Sequence, residues 1–306
     1  MRESLENMVE ESRKFTVQGK LADYIPELVK YNRDDLGIYL IRNDGKEFYA
    51  GDFDRLFTIQ SVCKPLILLL ALIDNGEDFI RERIGVESTG KPFNAIMDFS
   101  QVEDLREHIN PMVNIGAIAM CSIIQGKDRD EKFQRLLDLT KKLSGNESIG
   151  INQDVFESEK KTGDRNRALA YLLKSYGMIN EDVEDVLDVY FKACSIEITC
   201  KDLANIAFVL ANNGRAKDTD EKIVSKKYTR FVNAILMTCG MYDGAGDFAI
   251  RVGMPGKRGV GGGILSVAPS IMGIGIYGPA LDSKGNSVAG IKLLEKLSSS
   301  LYLSVF

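Results

Sequence analysis

Thr58-Ile-Gln-Ser61-Val-Cys-Lys64-Pro-Leu sets a hydroxyl and an amine three residues apart, just ahead of an apolar run at residues 66–73. On a helix that spacing brings both side chains to one face. Pro65 fits only a first helical turn, where its missing N–H breaks no bond, so Ser61 and Lys64 belong at a helix N-terminus. Backbone N–H groups there are unpaired and the helix dipole favours developing negative charge, as an oxyanion requires. A lysine acts as a base near neutral pH only where burial destabilises its ammonium. A drop of three units from the usual value of about 10.4 takes roughly 4 kcal/mol of differential desolvation, within the range of buried lysines. An apolar helix supplies such burial. The pattern therefore fits a serine nucleophile with a lysine proton acceptor; taken alone, it also fits a surface lysine one turn from an N-capping serine.

His108 is the single histidine of the 306 residues, so every Ser-His-Asp or Cys-His scheme would have to pass through it. It stands in the polar stretch Leu105-Arg-Glu-His-Ile-Asn-Pro, where a solvated histidine is expected. With no CxxC pair either, no metal site and no cofactor are expected.

A second cluster is Met241-Tyr242-Asp-Gly-Ala-Gly-Asp, followed by Pro255-Gly-Lys257-Arg-Gly259-Val260-Gly-Gly-Gly263. Glycine weakens strands and loses the most entropy on folding, so the run suits close approach of backbone to a ligand. A backbone N–H near Val260 and that of Ser61 would then cradle an amide oxygen; a glycine bulge at a sheet edge is the alternative. Lys257-Arg-Gly resembles the basic-residue-then-glycine strand start of penicillin-recognising enzymes. No GK[ST] follows, which argues against a phosphate loop.

The elements that must position these groups follow from periodicity. Residues 36–42 and 47–51 read as two strands around the Asp44-Gly45 turn, a strong hairpin signal. Apolar residues recur at helical spacing in 114–124, 133–143, 168–176 and 203–210, where strand signals are sparse. Two further strands are expected from residue 263 to 277, and a closing helix over 287–301. An isolated hairpin is marginal in water, so strands at both chain ends must share a sheet. The expectation is an α+β fold in one domain, 1–306. Segments 1–64 and 238–306 form an antiparallel sheet with flanking helices, 65–237 an inserted and mostly helical lobe, and the site lies in the cleft between them.

Apolar residues make up 44% and charged residues 27%, as in ordinary globular proteins, which sets aside disordered and fibrous classes. A net charge of -5 without a basic stripe argues against nucleic acid as a partner. The apolar run at 66–73 is far shorter than the roughly 20 residues that span a bilayer, so no membrane association is expected. Residues 1–20 lack the apolar core of a signal peptide, and five scattered cysteines suit a reduced, cytoplasmic protein.

Several motifs resemble, in unbroken order from about residue 19 to 290, those of the serine-dependent glutaminases. They are Gly19-Lys-Leu-Ala-Asp-Tyr24, Ser61-Val-Cys-Lys64, Asn110-Pro-Met-Val-Asn114, Glu157-Ser-Glu159 with Thr162-Gly-Asp-Arg-Asn166, Val189-Tyr190-Phe-Lys, Met237-Thr-Cys-Gly-Met-Tyr242 and Gly259-Val260-Gly-Gly-Gly. The resemblance implies a penicillin-binding-protein and β-lactamase-like fold, and hydrolysis of L-glutamine to L-glutamate and ammonia through a Ser61 acyl-enzyme with Lys64 as general base. It also implies that Glu159 takes the substrate's α-ammonium while Asn114, Asn166 and Tyr190 hold the rest of the head group. Tyr24 and Tyr242 would close around it, with Tyr242 relaying a proton to departing ammonia. A homodimer or homotetramer and a gating loop at residues 88–94 are further implications. The chain departs from the family wording at Ile115 and Arg258, which bears on pocket shape and substrate strictness. Two rivals remain: a β-lactamase or D,D-peptidase sharing Ser61 and Lys64, and a binding protein that keeps the pocket without turnover.

Overall fold

A computed structural model describes residues 2–90 and 104–306. Strands β1 (Gly37–Arg42) and β2 (Glu47–Gly51) form the expected hairpin, with Tyr39 opposite Tyr49 and Gly45 in the left-handed region at φ 79°. The two other long strands, β7 (Gly263–Ala268) and β8 (Met272–Tyr277), come from the far end of the chain; between these pairs lie β3 (Phe57–Thr58), β4 (Gly150–Ile151), β5 (Ile196–Ile198) and β6 (Gly256–Arg258). One five-stranded antiparallel sheet has the order β2-β1-β8-β7-β6, so both chain ends share it as expected. Two features were not anticipated: the three-residue strand β6, and a small sheet ordered β3-β5-β4 that draws on the middle of the chain.

The helices are α1 (Arg2–Arg13), α2 (Lys64–Asn75), α3 (Glu77–Arg83), α4 (Asn114–Ile123), α5 (Arg129–Ser144), α6 (Gln153–Thr162), α7 (Asp164–Ser175), α8 (Val183–Cys194), α9 (Cys200–Ala211), α10 (Lys226–Cys239), α11 (Ala245–Arg251) and α12 (Val288–Leu301). Strand side chains alternate between faces. Ile38, Leu40, Ile274 and Ile276 meet Leu5 and Val9 of α1 and Leu293, Leu294 and Leu297 of α12. On the opposite face Tyr39, Ile41, Leu265, Val267 and Tyr277 join the larger helical core. There α9 lies directly on the sheet. A Cβ at Gly273 would fall 2.1 Å from the Phe208 nitrogen, and one at Gly275 would fall 2.2 Å from the Cys200 oxygen. Glycines in β8 are thus what lets a helix backbone touch a strand.

Helix α2 is apolar on every side and runs through the larger core, against α4, α5 and α10. Its first residue is Lys64, so the amine is sealed at the point where the chain leaves the sheet.

Candidate active site

The Ser61–Lys64 pair forms where β3 hands the chain to α2. Ser61 lies in a 3-10 turn, Gln60–Cys63, and Pro65 sits in the first turn of α2 as its chemistry requires. Gln60, immediately before the nucleophile, takes φ 49° although it is not glycine, a strained conformation of the kind that gathers at functional sites. Lys64 is 0% exposed, and its Nζ donates to Ser61 Oγ at 3.1 Å, Asn114 Oδ1 at 2.6 Å and Tyr242 OH at 3.1 Å. Among the described residues no carboxylate binds this amine. Such an arrangement can pass a proton among hydroxyl, amine and phenol without first breaking an ion pair to a carboxylate.

The expected head-group residues gather around this core. Asn114 opens α4 and its Nδ2 donates to Asn166 Oδ1 of α7 at 2.9 Å. Glu159 of α6 is 7% exposed; burial and the Cys194 thiol raise its pKa well above the usual carboxyl value, against the opposing pull of Lys64 and Gln60. Its Oε2 is buried with no hydrogen-bond partner. Tyr190 of α8 is buried one turn before Cys194, and that burial raises its phenol strongly. Tyr24 is 52% exposed along its length, yet its hydroxyl lies deep enough that burial and Glu159 raise it as well. Tyr24 and Asn166 keep partial contact with solvent, and the other predicted residues are buried.

Tyr242 begins a 3-10 turn, Tyr242–Gly244, at φ 57°. Burial alone would raise its pKa, but Lys257, Lys64 and Arg258 outweigh burial and hold the phenol down to about 7. Lys257 is fully buried, with Nζ 3.9 Å from the Tyr242 ring centroid and donating to the Gly240 and Arg258 carbonyls, each at 2.9 Å. Burial pushes Lys257 itself down to about 7. Gln60, Cys194, Lys257 and Arg258 were not predicted as site residues. The adjacent basic pair ahead of Gly259 was the available signal for two of them.

The glycine run brings two backbone segments into close approach. A Cβ at Gly259 would come 2.6 Å from the Ile59 oxygen, and one at Gly261 would come 2.4 Å from the Thr58 oxygen. These glycines let the β6–β7 turn press on the backbone leading to Ser61. Gly262, at φ 94°, likewise abuts Gly278 and Pro279. Val260 packs with Ile25, Leu28, Val155 and Leu281, and no described residue accepts its N–H. Ile115 is buried in the larger helical core. His108 is exposed, as its polar surroundings predicted. Residues 91–94 of the expected gating loop lie outside the described residues.

A cavity of about 540 Å³ lies elsewhere, between the α5 terminus, α9 and residues 216–223. Two of its three lysines are already matched, Lys142 with Glu221 and Lys217 with Glu47 and Asp218. Among the described residues no three His, Cys, Asp or Glu side chains gather as a metal site, and no helix is long and apolar enough to cross a membrane.

Comparison with known proteins identifies the family. The family model described as Glutaminase matches residues 19–306. A glutaminase of Clostridium tetani is 51% identical over the whole of both chains, and one of Clostridium botulinum 52% identical over the same extent. A crystal structure of the Bacillus subtilis glutaminase YbgJ in covalent complex with 5-oxo-L-norleucine, formed by reaction with 6-diazo-5-oxo-L-norleucine, superposes with a TM-score of 0.91 at 37% identity. That match covers 100% of this chain and 99% of the other.

Proposed function

The chain belongs to the glutaminase family and is an amidohydrolase of that activity; on this premise we propose that Ser61 and Lys64 hydrolyse L-glutamine to L-glutamate and ammonia through an acyl-enzyme. The single observation carrying the mechanism is the fully buried Lys64 amine at 3.1 Å from Ser61 Oγ, with no carboxylate among its partners in the described residues.

Glutamine's α-ammonium pairs with the unpartnered Oε2 of Glu159, and Asn114, Asn166 and Tyr190 orient the rest of the head group. A carboxyl with raised proton affinity in a buried wall becomes a favourable carboxylate once a cation arrives. Ser61 Oγ attacks the side-chain amide carbon while Lys64 Nζ takes the hydroxyl proton. The oxyanion meets the N–H groups of Ser61 and Val260. Collapse expels ammonia, protonated from Lys64 by way of Tyr242, and water then hydrolyses the γ-glutamyl ester on Ser61. The covalent adduct of the Bacillus subtilis relative with a glutamine-shaped diazoketone supports a nucleophilic step.

A coupled assay for ammonia from glutamine, run beside asparagine, tests this reading. Release from glutamine that disappears in Ser61→Ala is expected, and wild-type turnover in that variant removes the mechanism. Five buried, unbridged cysteines support the cytoplasm as the compartment. Exposed Ile250, Tyr302, Val305 and Phe306, close to one another through the Val305 N–H bond to the Gly253 oxygen, support a homodimer or homotetramer. Sedimentation at working concentration decides that point, and a monomer overturns it.

A further inference from the structure

Arg258 is the least ordinary of the groups around Tyr242. It ends β6 at 2% exposure, and its guanidinium carbon lies 4.7 Å from the Tyr242 ring centroid. Nη1 donates to the Gly285 oxygen at 2.8 Å. Gly285 takes φ 84°, and a Cβ there would fall 2.7 Å from Nη1, so the 282–286 turn is shaped around the guanidinium. Asp282 Oδ1 fixes that turn by accepting the Lys284 and Asn286 N–H groups. Lys284 in turn reaches Asp243, the residue after Tyr242, at 3.6 Å. Tyr242 needs such support, because its left-handed backbone is not one a tyrosine adopts unaided.

We propose that Arg258 is a positioning residue for Tyr242, clamping the ring toward Lys64 and supplying a permanent positive charge that favours the deprotonated phenol. This rests on the reading that Tyr242 shares a proton with Lys64 during turnover.

Facing Tyr242 are Lys64 from α2, Lys257 and Arg258 from β6 and Tyr190 from α8, with Glu159 of α6 and Cys194 of α8 behind Tyr190. Tyr24 precedes β1, Asp243 lies in the same turn and Asp282 opposite, and Asp247 of α11 is engaged by Arg251. Among the cations, Lys64 exchanges its proton in the reaction, and Lys257, pushed down to about 7 by burial, is only partly charged near neutral pH. A guanidinium keeps its charge at every working pH, even where burial lowers it. Arg258 is therefore the constant part of the field on the phenol, and removing it makes the Lys64–Tyr242 pair hold its proton to higher pH.

The test takes the full chain as wild type, Arg258→Met, Arg258→Gln and Arg258→Lys, with Ser61→Ala and Tyr242→Phe as references. Two readouts are followed against pH: kcat/KM for glutamine, and phenolate absorbance as a difference from Tyr242→Phe. The neutral variants are expected to move the acid limb and the phenolate titration upward by about one unit, a roughly tenfold loss below the limb. Arg258→Lys is expected to keep both positions while lowering kcat. Folded neutral variants with both titrations unmoved overturn the proposal. Should one neutral variant fail to fold, the other decides. Absence of ammonia release by wild type, or its survival in Ser61→Ala, instead sinks the glutaminase mechanism. The phenolate titration needs no turnover and still judges Arg258.

Discussion

Glu159 and Asp188 are buried carboxyl groups on the neighbouring helices α6 and α8, 7% and 4% exposed, and their surroundings drive them in opposite directions. Burial alone would raise Asp188, but Lys192 at 2.8 Å and Lys160 at 3.0 Å hold its carboxyl below the usual range, with Arg129 at 3.9 Å. Among the described residues Glu159 has no cation bonded to it and no partner for its Oε2, and its proton affinity is raised. Lys160 adjoins it in sequence, yet one step around a helix turns the side chain by about 100°, toward Asp188. Burial with a matched partner makes a structural ion cluster, whereas burial without one makes a site waiting for a cation. Lysines divide in the same way. Lys132 is buried against Glu181 and the Ser122 carbonyl, and Lys64 against hydroxyl, amide and phenol.

The sharpest break between the two regions is expected from the unmatched side. Ser61→Ala should lower kcat/KM by about 10⁴-fold or more, and Lys64→Met by about 10³-fold, both measured by ammonia release. Neither should cost much stability, since neither partner is left as an unpaired charge. Asp188→Asn should leave turnover within a few-fold of wild type.

Glu159→Gln should lower kcat/KM by about 10²-fold, mainly through KM, because the α-ammonium loses its counter-charge. Its stability should move the other way. A carboxyl whose folded pKa lies above the unfolded value of about 4.3 destabilises the fold as pH rises through that interval. The Gln variant is thus expected to match or exceed wild-type Tm at neutral pH, with the difference vanishing near pH 4 and below. A large Tm loss at pH 7 would assign Glu159 to the structural class.

Asp188→Asn gives the smallest effect and the opposite sign. Its depressed folded pKa contributes stability above the unfolded value of about 3.9, lost as pH falls through the folded value. Lys160 and Arg129 are partly exposed and therefore screened, so a loss of about 1–2 kcal/mol at pH 7 is expected. Denaturant melts at pH 7 and pH 3 should show that gap closing on acidification.

Legibility in the sequence followed the range of the interactions. The β1–β2 hairpin, the helix opening at Lys64 and the sheet shared by both ends rest on local signals, namely Asp44-Gly45, Pro65 and apolar periodicity. The order of the family motifs carried the remaining site residues, including Glu159, whose charged neighbours alone read as a solvated face. Strands of two or three residues such as β3, β4 and β6 give no periodicity to read. Lys257 and Arg258 stood out as a strand start and a departure from the family wording but received no site role, because charged residues are ordinarily exposed and only the Tyr242 turn and the Gly285 loop, distant in sequence, bury them. The glycines at 259 and 261 announced a close approach, but the backbone they approach lies some 200 residues earlier, at Thr58 and Ile59.

Reaction of the protein with 6-diazo-5-oxo-L-norleucine, followed by peptide mass spectrometry, addresses the central assignment most directly. A single adduct on the peptide containing Ser61, absent from Ser61→Ala and formed slowly in Lys64→Met, is the outcome this account predicts. Labelling at another residue, or unchanged labelling of Ser61→Ala, would contradict it.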